Sequence, residues 1–191
     1  MCKTLLFRGF LCRDLTFLKK AFVTYIRPLV EYCSVVWSPC LKKYIDVLEK
    51  VQRKFSKRIP CLSALPYKER LARLNLLPLE LRRLHFDLTF YYKLFTNRSS
   101  LDIDKFFTFH TPPASSRNPM PFIQKPQSAT NLLLSSFRYR SIDSWNSLPL
   151  HVKNSSSLSS FKKALHNIDF TSFLYGSSFT ALSDFKIIFK L

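Results

Sequence analysis

Five of the chain's eleven prolines, Pro112, Pro113, Pro119, Pro121 and Pro126, crowd into one short stretch, while residues 79–111 and 127–148 contain none. Proline lacks the amide donor and its ring clashes with the preceding turn, so no long helix can cross 112–126. No alternation of apolar residues there is strong enough to predict strands, and 99–130 reads as an extended, Pro-rich linker. The other prolines punctuate helices. Pro66 and Pro78 suit the first turns of two helices predicted to run to about residues 74 and 95, because the missing amide would be unpaired there anyway. Pro28 is expected to break or kink a helix over 14–27 that Asp14 caps, and Pro149 to end one over 132–147.

Residues 41–59 carry the clearest helical pattern. Leu41, Ile45, Leu48, Val51 or Gln52, Phe55 and Ile59 recur at three- and four-residue spacing and predict the buried stripe. Lys50, Lys54, Lys57 and Arg58 fall at i, i+4, i+7 and i+8, with Arg53 beside them, which puts a basic ridge on a rigid support. Asp46–Lys50 and Glu49–Arg53 are spaced to form i, i+4 ion pairs, each favouring the helix by a few tenths of a kcal/mol. On the helix after Pro78, Leu81, Leu84, Leu88, Tyr91 or Tyr92 and Phe95 are predicted to face inward, with Arg82 and Arg83 outward. The apolar block 29–37, including Tyr32 and Trp37, is expected to pack in the core beside the kink at Pro28.

The predicted fold class is mainly α. A small basic helical bundle over 1–98 is followed by the linker over 99–130 and a C-terminal helical pair within 131–170, then an apolar tail over 171–191. The second helix of the pair is expected over 158–168, capped from 155–157, with Trp145 and Phe161 locking the two together and Arg138 and Arg140 exposed.

Thirty Lys and Arg against twelve Asp and Glu give a formal charge of +18, half of it from residues 41–98, where fourteen basic side chains meet five acidic ones. Such a surface attracts polyanions over a long range. With only Gly9 and Gly176, phosphate-cradling loops and dinucleotide fingerprints are excluded on residue count. Cys2, Cys12, Cys33, Cys40 and Cys61 form no CxxC, and the four histidines complete no zinc spacing, so free and mostly buried thiols in a reducing, intracellular compartment are expected, and no metal. Asp102 and Asp104 read as exposed loop carboxylates. Cys61 and His85 read as structural residues, not as a nucleophile and its base. Lys3, Arg8 and Arg13 interrupt the N-terminal apolar residues, so no membrane insertion is expected there.

Four blocks carry a resemblance: RPLVEYCSVVWSP at 27–39, LEKVQRKFSKRIP at 48–60, YKERLARLNLLPLELRRLHFDLTFYYKL at 67–94 and FRYRSIDSWNSLP at 137–149. In wording and order they resemble the C-terminal part of LINE-type, jockey-like non-LTR retrotransposon reverse transcriptases, over roughly residues 5–169. The resemblance implies the thumb and the segment after it. The family's catalytic aspartates lie upstream, in an aromatic-Ala-Asp-Asp motif that this chain lacks; none of its eight aspartates is adjacent to another. Two departures stand out. Where the family carries Thr-Arg-Gly-His this chain reads SSRNPMPF, with only Arg117 matched, and an apolar run at 132–134 replaces a usual basic residue.

The resemblance implies an RNA-directed DNA polymerase fragment without catalytic residues or a cofactor of its own. It would contact the template-primer backbone through Lys50, Arg53, Lys54, Lys57 and Arg58, with Arg82 and Arg83 in support. RNA, DNA and hybrid are equally open as partners, and so are nucleus and cytoplasm; no small-molecule substrate is expected. Two alternatives stay beside this reading: a helical protein-interaction module, and a degraded retroelement relic with no selected function.

Overall fold

The computed structural model describes residues 14–96, 102–105, 107–110, 122–125, 130, 133 and 135–176, and among them the fold is mainly helical. The chain folds as two compact units. One comprises residues 1–34, 39–83 and 171–191, and the other residues 35–38 and 84–170. The units therefore follow a different partition from the one expected at residue 98. The long helix Leu79–Phe95 gives its first turn to the first unit and the remainder to the second.

The first unit opens with α1 (Leu15–Ala21), where the Asp14 carboxylate accepts the Phe17 N–H at 2.9 Å. Pro28 does not break the helical run. The chain widens into a π-helical turn over Phe22–Ile26, in which the Arg27 N–H reaches back to the Phe22 carbonyl, and then resumes as α2 (Arg27–Glu31) with Pro28 in its opening turn. The altered register supplies the tolerance, because Pro28 becomes an early residue of a new helical segment, where a missing amide costs little. A left-handed residue, Cys33 (φ 50°), leads into the short α3 (Ser34–Trp37).

Helices α4 (Lys42–Lys57), α5 (Tyr67–Leu74) and α6 (Leu79–Phe95) begin and end close to the predicted limits. Helix α5 stops at Asn75, which takes the left-handed conformation that asparagine tolerates better than most residues. Leu18, Phe22 and Ile26 from the first helical run meet Phe55, Ile59, Leu62, Leu71, Leu74 and Leu76 in one apolar cluster, with the rings of Phe22 and Phe55 stacked at 4.4 Å.

The block 29–37 corrects the expectation of a core position. Leu29 is 64% exposed, Tyr32 75%, Val36 78% and Trp37 41%. Cys33, Cys40 and Cys61 are also exposed, not buried; Cys2 and Cys12 lie outside the described residues.

In the second unit, the rest of α6 is wrapped in aromatic side chains. Phe95 stacks on Trp145 at 4.9 Å, Tyr92 stacks on Phe161 at 4.3 Å, and Tyr91 lies against Phe107, Phe137 and Trp145. Trp145 and Phe161 do meet, with ring centroids 6.1 Å apart. Among the described residues the helix expected over 132–147 is interrupted: Leu133 is helical, residues 135 and 136 are not, and α7 (Phe137–Arg140) and α8 (Ile142–Asn146) follow as separate short helices; Leu132 and Leu134 lie outside the described residues. Between them Ser141 donates its hydroxyl to Asp87, and Arg140 grips both oxygens of Asp87 at 2.8 Å while donating to the Val35 carbonyl. Arg140 is thus an internal tie and not an exposed cation, and Arg138 is half-buried. Helices α9 (Leu150–Lys153) and α10 (Leu158–Leu165) complete the helical pair, the second capped by Ser157, whose hydroxyl accepts the Ser160 N–H.

The described part of 99–130 is not a bare extended linker: Ile103–Lys105 makes a 3-10 turn, and two short strands pair. Phe109–His110 (β1) pairs antiparallel with Phe122–Ile123 (β2), and Asn146 closes the ladder by accepting the Ile123 N–H and donating to its carbonyl. Two-residue strands leave no alternation to read. Asp102 is exposed and paired with Lys105. From the predicted tail, residues 171–176 belong to the first unit, where the Glu80 carboxylate accepts the N–H groups of Tyr175 and Gly176. Residues 177–191 lie outside the described residues.

Candidate nucleic-acid interface

Helix α4 presents two chemically distinct sides because its residues recur at helical spacing. Ile45 and Phe55 are buried as predicted, as is Ile59 just beyond the helix end, and Leu48 and Val51 are half-buried; Leu41, at the start, is 53% exposed. Polar side chains complete the inner side. Gln52 is fully buried and donates to the Leu77 carbonyl at 3.0 Å and to the Tyr67 hydroxyl. Glu49, 2% exposed, accepts the Tyr67 hydroxyl and the Leu79 N–H. The second contact places a carboxylate from one helix on a first-turn amide of another, where helical geometry leaves donors unpaired and favours negative charge.

Glu49 therefore turns away from the surface and bonds to Tyr67 and Leu79, where the spacing had pointed to Arg53. Burial pushes its carboxyl pKa up, an effect that the two hydrogen bonds partly oppose. The Tyr67 hydroxyl is raised far above its usual range, first by burial and then by the adjacent Glu49. Arg53 is half-buried, its guanidinium 5.0 Å from the Tyr67 ring centroid, which draws it off the ridge. Arg70 also stacks over Tyr67 and bonds Ser56 and Leu65 from a buried position.

On the outer side Lys50, Lys54, Lys57 and Arg58 are all exposed. Lys42 and Lys43 extend that charge to the start of the helix, and Tyr44 and Val47 are exposed among them. These four residues escaped the sequence reading, although Lys43, Val47, Lys50, Lys54 and Lys57 succeed one another at four- and three-residue intervals.

The supporting arginines of α6 are placed differently from the prediction. Arg83 is 2% exposed and so is buried instead of facing outward; the inward face of α6 is wider than a single stripe. Arg82 forms a bidentate pair with Glu31, one arm at 2.9 Å, and Arg27 lies 3.8 Å from the same carboxylate. Neither arginine belongs to an open basic surface.

His85 packs edge-on against His166 and Phe170, a ring-packing role like the structural one expected of it. Among the described residues no group of three or more His, Cys, Asp or Glu side chains is placed to hold a metal ion, and no helix is long and apolar enough to cross a membrane. No protein-family model, curated protein or solved structure matches the chain.

Proposed function

We propose that the chain is a non-catalytic nucleic-acid-binding fragment derived from the thumb and following helices of a non-LTR retrotransposon reverse transcriptase, acting inside the cell. The observation that carries the binding part is the inward turn of Glu49. It removes one of the two acids of α4 from the face that holds Lys50, Lys54, Lys57 and Arg58. A rigid row of cations with one of its neutralising partners withdrawn suits contacts to a phosphate backbone, which position a nucleic acid without reading its sequence.

The origin rests on the four sequence blocks alone; their contacts speak to the fold. Arg27 and Glu31 of the first block meet Arg82 of the third, and the Val35 carbonyl and Asp87 meet Arg140 of the fourth. Charged residues of separate blocks thus serve as internal ties, a scaffold role that needs no active centre.

The test is binding of the purified chain to a labelled RNA–DNA hybrid across a salt series. Four neutralised phosphates give a slope of log affinity against log salt of about −3.6, or roughly a 150-fold loss between about 50 and 200 mM. A folded K50E/K54E/K57E variant should bind weakly with a slope near about −0.9. An unchanged variant would exclude the ridge as the site.

One observation favours the helical interaction module instead. Tyr25, Leu29 and Tyr32 are 62%, 64% and 75% exposed, apolar surface of the kind that a protein partner covers. Under that reading Leu29→Asp abolishes capture of one defined protein while hybrid binding is unchanged.

A further inference from the structure

A phosphate-binding ridge has no reason to expose an aromatic ring, yet Tyr44 is 52% exposed on α4 and Val47, one turn on, is 60% exposed. The Lys43 ammonium lies 4.8 Å from the Tyr44 ring centroid. At about 100° per residue, Tyr44 forms one edge of the band that holds Lys43, Val47, Lys50, Lys54, Lys57 and Arg58, and the band runs about 21 Å from Tyr44 to Arg58. An apolar protein surface would meet these cations at a cost in desolvation. A partner that matches both halves of the face must carry repeated negative charge and flat π surfaces that are free to stack.

Resting on the reading of α4 as a phosphate-contacting ridge, we infer that its ligand is single-stranded nucleic acid, with phosphates on Lys50, Lys54, Lys57 and Arg58 and a base stacked on Tyr44. In a duplex the bases are already stacked and paired, so the ring gains nothing unless a base is pulled out of the helix. In a single strand the π faces are available, and stacking on an aromatic side chain tolerates any base. The basic ridge alone binds both forms through charge. Tyr44 supplies the discrimination; the Lys43 ammonium lies over one face of its ring, and a base would stack on the other.

The test uses the full chain with two fluorescently labelled probes, an unstructured 20-nucleotide oligothymidylate and a 20-base-pair mixed-sequence duplex, at one salt concentration. Tyr44→Ala, Tyr44→Phe and K50E/K54E/K57E are compared with the parent, each checked for fold by circular dichroism. The parent is expected to prefer the single strand. Tyr44→Ala should weaken single-strand binding by on the order of tenfold, the scale of one base–aromatic stack, and leave duplex binding unchanged, while Tyr44→Phe retains the preference. Equal loss on both probes, no loss on either, or a parent that favours the duplex overturns the inference. The charge variant separates this failure from a deeper one. If it loses both probes while Tyr44→Ala loses neither, the ridge remains a phosphate surface and only the single-strand assignment falls. If it binds both as well as the parent, or if the parent binds neither and only a protein partner is found, the ridge reading falls as well.

Discussion

Burial gives Glu49 an unusual dependence on pH. Its folded-state pKa lies above the ordinary 4.5, so the proton is held more tightly in the folded than in the unfolded chain. The stability this contributes is fully present below about pH 4.5 and is lost as the pH rises through the raised folded value. A Glu49→Gln chain lacks that titration. The stability of the parent relative to Glu49→Gln should therefore fall as the pH rises above about 4.5, as urea titrations at several pH values would reveal. Glu80 is shifted in the same direction, chiefly by burial, with hydrogen bonds from Tyr175 and Gly176 and the charge of Arg83 opposing and Asp46 adding to the rise. A Cβ at Gly176 would come within 2.6 Å of a Glu80 oxygen, so a side chain there would displace the Glu80 carboxylate. Arg140 is the other residue whose loss is costly. Arg140→Ala removes an ion partner of Asp87, which is 3% exposed, and should destabilise the chain by about 3–5 kcal/mol in chemical denaturation. Little of this is legible in the sequence. Charge and helical spacing put Glu49 opposite Arg53 and Arg140 in solvent, because spacing describes neighbours within one helix and is blind to a hydroxyl or carboxylate supplied by another.

At the scale of elements the longest helices are the most readable. Asp14 marks the start of its helix but not its end, whereas the runs before Asn75 and Thr96 begin and end within a few residues of expectation. The cap at Ser157 is another local signal. Ser157→Ala should cost about 1 kcal/mol and speed amide exchange in the first turn of α10, a change that hydrogen-exchange mass spectrometry can localise. Where prediction fails, the deciding interaction is long-range or below the length of a pattern. Ser141 ends α7 and bonds to Asp87, fifty-four positions earlier, and β1 and β2 are too short to alternate. At Pro28 the ring's steric demand is real, but the chain meets it with a change of helical register in place of a break. The outer face of α4 is legible in its lysines and illegible in Tyr44, since an aromatic beside an apolar stripe reads as core until its exposure is known.

For the molecule as a whole, a partition at residue 98 tracks composition, whereas the folded units track the core. Leu88, Tyr91, Tyr92 and Leu94 are all buried, with Phe107 and Trp145 against Tyr91 and Phe161 stacked on Tyr92. A fragment of residues 14–98 would expose that side of α6. It should bind a hydrophobic dye more strongly than the full chain does, and aggregate more readily in light scattering. The first unit is also discontinuous in the chain, and this bears on its biosynthesis. Glu80 leaves the ribosome 95 residues before Tyr175, the donor that its carboxylate finally accepts. At roughly 5–20 residues per second that interval is about 5–20 s. Throughout it the nascent first unit lacks its closing segment, and a chaperone or a stretch of nucleic acid has that long to reach it before translation delivers residue 175.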